Sequence, residues 1–137
     1  MIFVSGIHGV GKSYFCNIMK KRLDVESYSA SQLIAARRNE GFSENKLVSD
    51  IDDNQDLLVE AIDELRKAGK EFILDGHLCL LNESGEITRI PRNTYMLLKP
   101  DVIILLTEKP EIIADRRLKR DNICQDVSEI VEFQNEE

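Results

Sequence analysis

The chain has 137 residues, 42% hydrophobic and 31% charged, with a formal net charge of −7. That length suits one compact domain with a real apolar core, and the balance is that of a globular protein rather than a disordered or fibrous one. The acidic excess argues against a grip on long nucleic acid, which needs broad basic surface; the basic residues cluster locally, at 20–22, 37–38, 116–117 and 119–120, as suits a small anionic ligand.

Residues 1–5 predict a buried strand. GIHGVGKS follows at residues 6–13, and its Gly-Lys-Ser opens a helix over 12–23. Residues 25–29 suggest a short strand and 31–39 a helix that stops at Glu40-Gly41. The strongest helical pattern runs from Asn54 to Ala68, where Leu57, Leu58, Ala61, Ile62 and Leu65 recur at helical spacing and Gly69 closes the run. EFILD, residues 71–75, reads as a second buried strand. LNESGEI predicts a hairpin of 78–81 with 87–90, Pro91 starts a short helix to about Leu98, and DVIILL, residues 101–106, reads as a third buried strand. Pro110 opens a helix, PEIIADRRLKRD, and residues 126–133 suggest one more. Alternating strands and helices imply an α/β domain with a mostly parallel sheet, in which ligands bind at the carboxyl ends of the strands.

The longest apolar run, Val102 to Leu106, is far too short to cross a bilayer, and no basic-then-apolar leader is visible, so neither membrane association nor a signal peptide is expected. Cys16, Cys79 and Cys124 lack metal-binding spacing. They read as reduced thiols of a cytoplasmic protein.

GIHGVGKS fits the phosphate-cradling pattern G-x-x-x-x-G-K-[ST]. Gly6, Gly9 and Gly11 permit turns that a Cβ would forbid, so that backbone amides can approach phosphate oxygens. The start of the helix adds its positive dipole end. Lys12 would reach the outer phosphates and the Ser13 hydroxyl would ligate Mg²⁺. The nucleotide-contacting set is then Gly6, His8, Gly9, Val10, Gly11, Lys12, Ser13 and Tyr14, with His8 at a position that tolerates many side chains. Asp75 closes a buried strand and reads as a second Mg²⁺ holder, or as a turn residue before Gly76. Arg116 and Arg120, four apart, share a helix face that would stabilise a phosphate chain during transfer, or else form a solvated basic surface.

GIHGVGKS, FILDGH, LKPDVIILL and RRLKRD, in this order and spacing, resemble the nucleoside-monophosphate kinase branch of P-loop proteins, above all the archaeal-type and nuclear-type adenylate kinases. The resemblance spans most of residues 1–121 and implies a three-layer kinase-like fold that transfers the γ-phosphoryl group of ATP, with Mg²⁺, to a small acceptor. Asp75-Gly76-His77 matches the family's Asp-x-His at the third-strand end. The resemblance makes Lys12, Asp75, Arg116 and Arg120 the expected catalytic residues. It puts the acceptor between 31–38 and 75–77, with Gly76, His77 and Arg37 or Arg38 as contacts, the two arginines reading equally as exposed helix residues, inside an insert at 30–68 and beneath a lid at 116–126. Two departures stand out. The family continues past the lid with another strand and helix, whereas here no apolar strand follows, so the sheet is expected to lack its closing strand and to present an edge that a second copy or a partner would complete. Residues 50–56, DIDDNQD, are acidic; Asp50, Asp52 and Asp53 read as groups positioning Mg²⁺ or a hydroxyl-bearing acceptor, or rather as a solvated helix start capped by Asp53 or Asn54. An ATP-binding regulatory module and a kinase of polynucleotide ends are the competing readings.

Overall fold

The apolar runs IFVS and FILD become neighbouring parallel strands at the centre of a four-stranded sheet in the computed structural model, which describes residues 1–39, 51–82 and 84–137. In chain order the elements are β1 (Ile2–Ser5), α1 (Lys12–Leu23), β2 (Glu26–Ser29), α2 (Ala30–Asn39), α3 (Ile51–Lys67), β3 (Phe72–Asp75), β4 (Cys79–Leu81), β5 (Ile87–Arg89), α4 (Arg92–Leu98), β6 (Val102–Leu105), α5 (Pro110–Asp121) and α6 (Val127–Glu136). The sheet runs β2-β3-β1-β6, all parallel, and β4 pairs with β5 as a separate antiparallel hairpin. The α/β kinase-like architecture expected from the sequence is therefore present. Among the described residues no strand follows α5.

Side chains alternate across a strand, so the two central strands feed two cores. Val4 and Ile73 pack with Cys16 of α1 on one face. Phe3, Phe72 and Leu74 pack on the other with Leu58 and Ile62 of α3 and Leu98 of α4. A third cluster joins Ile7 and Val10 of the 6–13 loop to Cys79, Ile113 of α5, and Ile130 and Phe133 of α6. Helices therefore cover both faces of β1 and β3, and α5 with α6 brace the loop from outside the sheet.

Two sequence expectations need correction. Residues 101–106 do not form a buried strand: β6 pairs only with β1, and Val102, Ile103 and Leu105 stay 46–49% exposed because β6 is the sheet edge. Helix α3 begins at Ile51, so neither Asp53 nor Asn54 caps it. Asp50 and the helix stop at Glu40-Gly41 lie outside the described residues. No helix among the described residues is long and apolar enough to cross a membrane.

The core predicts thiol behaviour. Cys16 and Cys79 are buried and Cys124 is exposed; burial and, secondarily, the Asp75 charge push the Cys16 thiol up to about 11, leaving little thiolate at pH 8. Maleimide labelling of the folded protein should modify Cys124 quickly, while Cys16 and Cys79 react only at the unfolding rate. Mass spectrometry of timed samples checks this, and rapid labelling at Cys16 would contradict the packing between α1 and the sheet.

Candidate active site

The carboxyl ends of β1 and β3 lie side by side, Val4 opposite Asp75, and the Gly76 N–H continues the ladder to Val4 O at 3.0 Å. The chain leaving β1 must turn at once to start α1, and it does so through left-handed glycines. Gly6 has φ +143°, and a Cβ there would lie 2.6 Å from the Leu106 carbonyl oxygen. Gly11, at φ +110°, precedes the first helical turn. The loop thus brings the N-terminus of α1 to the strand ends, the arrangement that aims backbone N–H groups at an anion.

Four cations surround this loop. Lys12, 7% exposed, donates from Nζ to Gly6 O and, at 3.4 Å, to Ile7 O; its distance to Asp75 Oδ1 is 4.0 Å. Burial holds the ammonium below the usual lysine range, against the pull of Asp75 and Glu137. Burial also raises the Asp75 carboxyl, with Lys12 opposing it. Arg116 donates to Val10 O at 3.0 Å and Gly9 O at 3.3 Å and pairs with Glu108 at 3.2 Å. Arg120 is held by Asp121. Arg117 leaves the face shared by Arg116 and Arg120, as helical spacing requires, yet its stem packs against Gly9 and its guanidinium reaches Gln125.

His77 stands at the centre. Its Nε2 is 3.4 Å from Lys12 Nζ, and its ring meets that of His8 at a centroid separation of 4.5 Å. Burial first, then Lys12 and His8, pushes its pKa down to about 3. The ring is therefore neutral, and because Nε2 faces a donor-only ammonium, the proton resides on Nδ1. His8 is lowered in the same way, by burial and then by Lys12, Arg117 and Arg120.

One cavity of about 1020 Å³ gathers His8, Gly9, Val10, Gly11, Lys12, Ser13, Tyr14, Asp75, Gly76, His77, Arg116 and Arg120. Apart from Gly6, whose carbonyl meets Lys12 beneath the loop, the phosphate-loop, metal and arginine positions expected from sequence converge there. A smaller recess of about 100 Å³ is lined by Phe3, Ile34, Leu58, Ile90, Tyr95 and Leu98 with the polar Gln55. The two share Ala30, Ser31, Gly76, His77 and Leu80 along their border. Arg37 and Arg38 line neither cavity: Arg37 is buried against Glu64 and Arg38 donates to Asn54, so both fasten α2 to α3.

For Mg²⁺, the Ser13 hydroxyl and the Asp75 carboxylate are hard oxygen donors on the same cavity wall. Among the described residues no group of three or more His, Cys, Asp or Glu could hold a metal. Mg²⁺ commonly takes one or two protein oxygens and completes its shell with phosphates and water, so the donor set fits an ion that arrives with a nucleotide.

Three participants escaped the sequence reading. Glu137 lies against Gly6 and Cys79. Tyr95 donates from its hydroxyl to His77 O at 3.0 Å. Gln55 sits in the recess wall, 8% exposed. Only Gln55 carried a signal, a polar residue between the apolar positions of α3.

Residues 5–132 match the family model described as "AAA domain". The chain is 28% identical over 124 residues to an adenylate kinase of Pyrobaculum aerophilum, a match covering 86% of this chain and 63% of that protein. It therefore spans a little under two thirds of that relative's length. Among solved structures, a shikimate kinase from Bacteroides thetaiotaomicron superposes with a TM-score of 0.59 at 15% identity, covering 96% of this chain and 73% of that one. A gluconokinase from Sinorhizobium meliloti 1021 superposes at 0.52 and 20% identity, covering 98% and 73%. These two likenesses confirm the fold.

The loop geometry predicts unequal costs for two left-handed glycines. Gly69, at φ +69°, has nothing within 4 Å of an added Cβ, whereas Gly6 meets a backbone carbonyl. Gly69→Ala should cost about 1 kcal/mol from the backbone alone. Gly6→Ala should cost roughly 2 kcal/mol more, through the clash. Urea denaturation of both variants measures the difference, and equal costs would contradict the close approach of Gly6 to Leu106.

Proposed function

The chain belongs to the AAA domain family, and from that premise we propose that it is an ATP-dependent phosphotransferase that moves the γ-phosphoryl group to a nucleoside monophosphate. The observation that carries this reading is the shared border of the two cavities. A polar, cation-rich cavity around the phosphate loop opens beside an apolar recess, and Gly76 and His77 line both. A donor held on the loop and an acceptor seated at the recess would meet along that border.

The recess argues for the acceptor class. Phe3, Leu58, Tyr95 and Leu98 offer apolar surface that suits the face of a nucleobase. A polyol or hydroxy-acid acceptor would lose water there without regaining its hydrogen bonds. Gln55 supplies one amide at the same wall, enough to read a base edge.

Each residue then has a physical role. The amides of Gly9 and Gly11 and of the start of α1 would hold the donor phosphates, the Val10 N–H being taken by Ile7 O. Lys12 and Arg116, which rest on the loop's own carbonyls, are within reach of whatever those amides hold. Arg120 lines the same wall and would meet the charge that develops on the transferring group. Ser13 and Asp75 would hold Mg²⁺, which would supply neutralisation of phosphate charge. The acceptor phosphate is already anionic, so no strong general base is required. Positioning and electrostatics supply the catalysis.

A second reading, an ATP-binding module that acts on a partner, draws support from β6. Its exposed Val102, Ile103 and Leu105 form an apolar edge strand, and such edges associate.

Incubation with Mg-ATP and a panel of ribo- and deoxyribonucleoside monophosphates, shikimate and gluconate, with ADP release as the readout, should give turnover with a nucleotide acceptor alone. Turnover with a hydroxy acid would overturn the acceptor class, and acceptor-independent hydrolysis alone would favour the partner-acting module. Among variants, Lys12→Met should keep the fold while weakening Mg-ATP binding on the order of 10²-fold, because a charge-assisted contact is lost. Arg120→Ala should lower kcat by roughly 10²–10³-fold with a smaller effect on Mg-ATP affinity. Calorimetry and initial rates separate the two effects; a loss of Mg-ATP affinity in Arg120→Ala as large as its loss of kcat would place Arg120 in ground-state binding.

A further inference from the structure

The side chain of Glu137 is 1% exposed, where an unpaired carboxylate would cost several kcal/mol on the order-of-magnitude scale of ion burial. Four donors hold it, and they come from two different segments. Ser5 Oγ and the Gly6 N–H, at 3.0 Å, belong to the head of the phosphate loop. The N–H groups of Leu78, at 3.0 Å, and Cys79, at 2.8 Å, lie just beyond Asp75-Gly76-His77. Oε1 also stands 3.9 Å from His77 Nδ1, a buried ring nitrogen with no hydrogen-bond partner in the structure.

Helix α6 delivers this carboxylate. Asp126 caps the helix by accepting from Ser128 N–H, and Ile130 and Phe133 dock its apolar face on Ile7, Val10 and Ile113. Glu137 follows Phe133 by four residues and so continues that face. Glu136 fastens the same end to the hairpin, through Arg89 at 2.7 Å and the Cys79 thiol at 3.0 Å.

We infer that Glu137 is a positioning residue: its carboxylate ties the phosphate loop to the acceptor-side turn, so that the donor and acceptor halves of the site hold one relative placement. The use of that placement for phosphoryl transfer rests on the function proposed above; the tie itself does not. The chemistry requires a carboxylate. Gly6 and Leu78 N–H face Oε1 and Cys79 N–H faces Oε2, so a glutamine amide would turn its NH₂ group toward at least one N–H whichever way it is placed.

The test compares the wild-type protein with Glu137→Gln, Glu137→Asp and Ser5→Ala. The readouts are Mg-ATP titration calorimetry, the ¹⁵N–¹H amide shifts of Gly6, Leu78 and Cys79, and melting temperature. Glu137→Gln should weaken Mg-ATP binding about tenfold, the worth of one charge-assisted hydrogen bond turned repulsive, and should shift the three amides together. Glu137→Asp, which keeps the charge, should recover part of both. Ser5→Ala removes a single donor and should move both readouts the same way by less, which decides the matter should Glu137→Gln fail to fold. A lowered melting temperature with wild-type affinity and the Gly6 amide unmoved well below it would reduce Glu137 to a packing contact and overturn the inference. If the wild-type chain phosphorylates no acceptor, the phosphotransferase reading falls, while the affinity and amide readouts still decide the role of Glu137.

Discussion

The site depends on how the loop of residues 6–13 disposes of its carbonyl groups. A tight glycine turn cannot pair its own carbonyls in a helix or sheet, and buried unpaired acceptors are costly. Here cations take them: Lys12 covers Gly6 O and Ile7 O, and Arg116 covers Gly9 O and Val10 O. Satisfying carbonyls on one side orients the peptide planes: the Val10 N–H turns back to Ile7 O at 3.3 Å, while Gly11, Lys12 and Ser13 at the start of α1 line the cavity. One set of contacts therefore sets the loop shape and concentrates positive charge where an anion binds, within a chain whose net charge is −7.

Much of this was legible in the sequence because the relevant signals are local. A glycine turn between an apolar strand and a helix, and an acid closing a second strand, need few long-range partners to be read. Arg116 and Arg120 share a face by helical spacing alone, and both line the cavity. Long-range pairing was not legible. The resemblance alone made Arg37 and Arg38 candidate phosphate contacts, and nothing local in the sequence showed that Glu64 and Asn54 of α3 claim them. The exposure of β6 was hidden for a similar reason: VIIL has the composition of a buried strand, and only the strand order shows that β1 covers one of its edges and nothing described covers the other.

Between the polar cavity and the apolar recess, the architecture separates two kinds of solvation. Phe3 closes the apolar recess from one face of β1, and Val4 builds the α1 core from the other, so alternation along four residues divides the molecule at the site. Gly76 sits at that division with Phe3 beneath it, and a Cβ there would lie 2.7 Å from the ring. The close approach lets the segment after β3 pass over the aromatic ring and return to the loop, which is how His77 comes to touch both His8 and Lys12.

A carboxylate beside a phosphate-binding loop looks unfavourable until its position is considered. Glu137 is on the Gly6 side of the loop, beneath the turn, while Arg116 and Arg120 line the open side. Lys12 lies between them and feels Asp75 and Glu137 together, which offsets the desolvation of its ammonium. Without those two anions, burial would drive Lys12 further toward the neutral amine. The two acids together favour the charged form of the lysine in a dry environment, and anchoring the second acid by N–H dipoles rather than by a cation leaves Lys12 available to an incoming ligand.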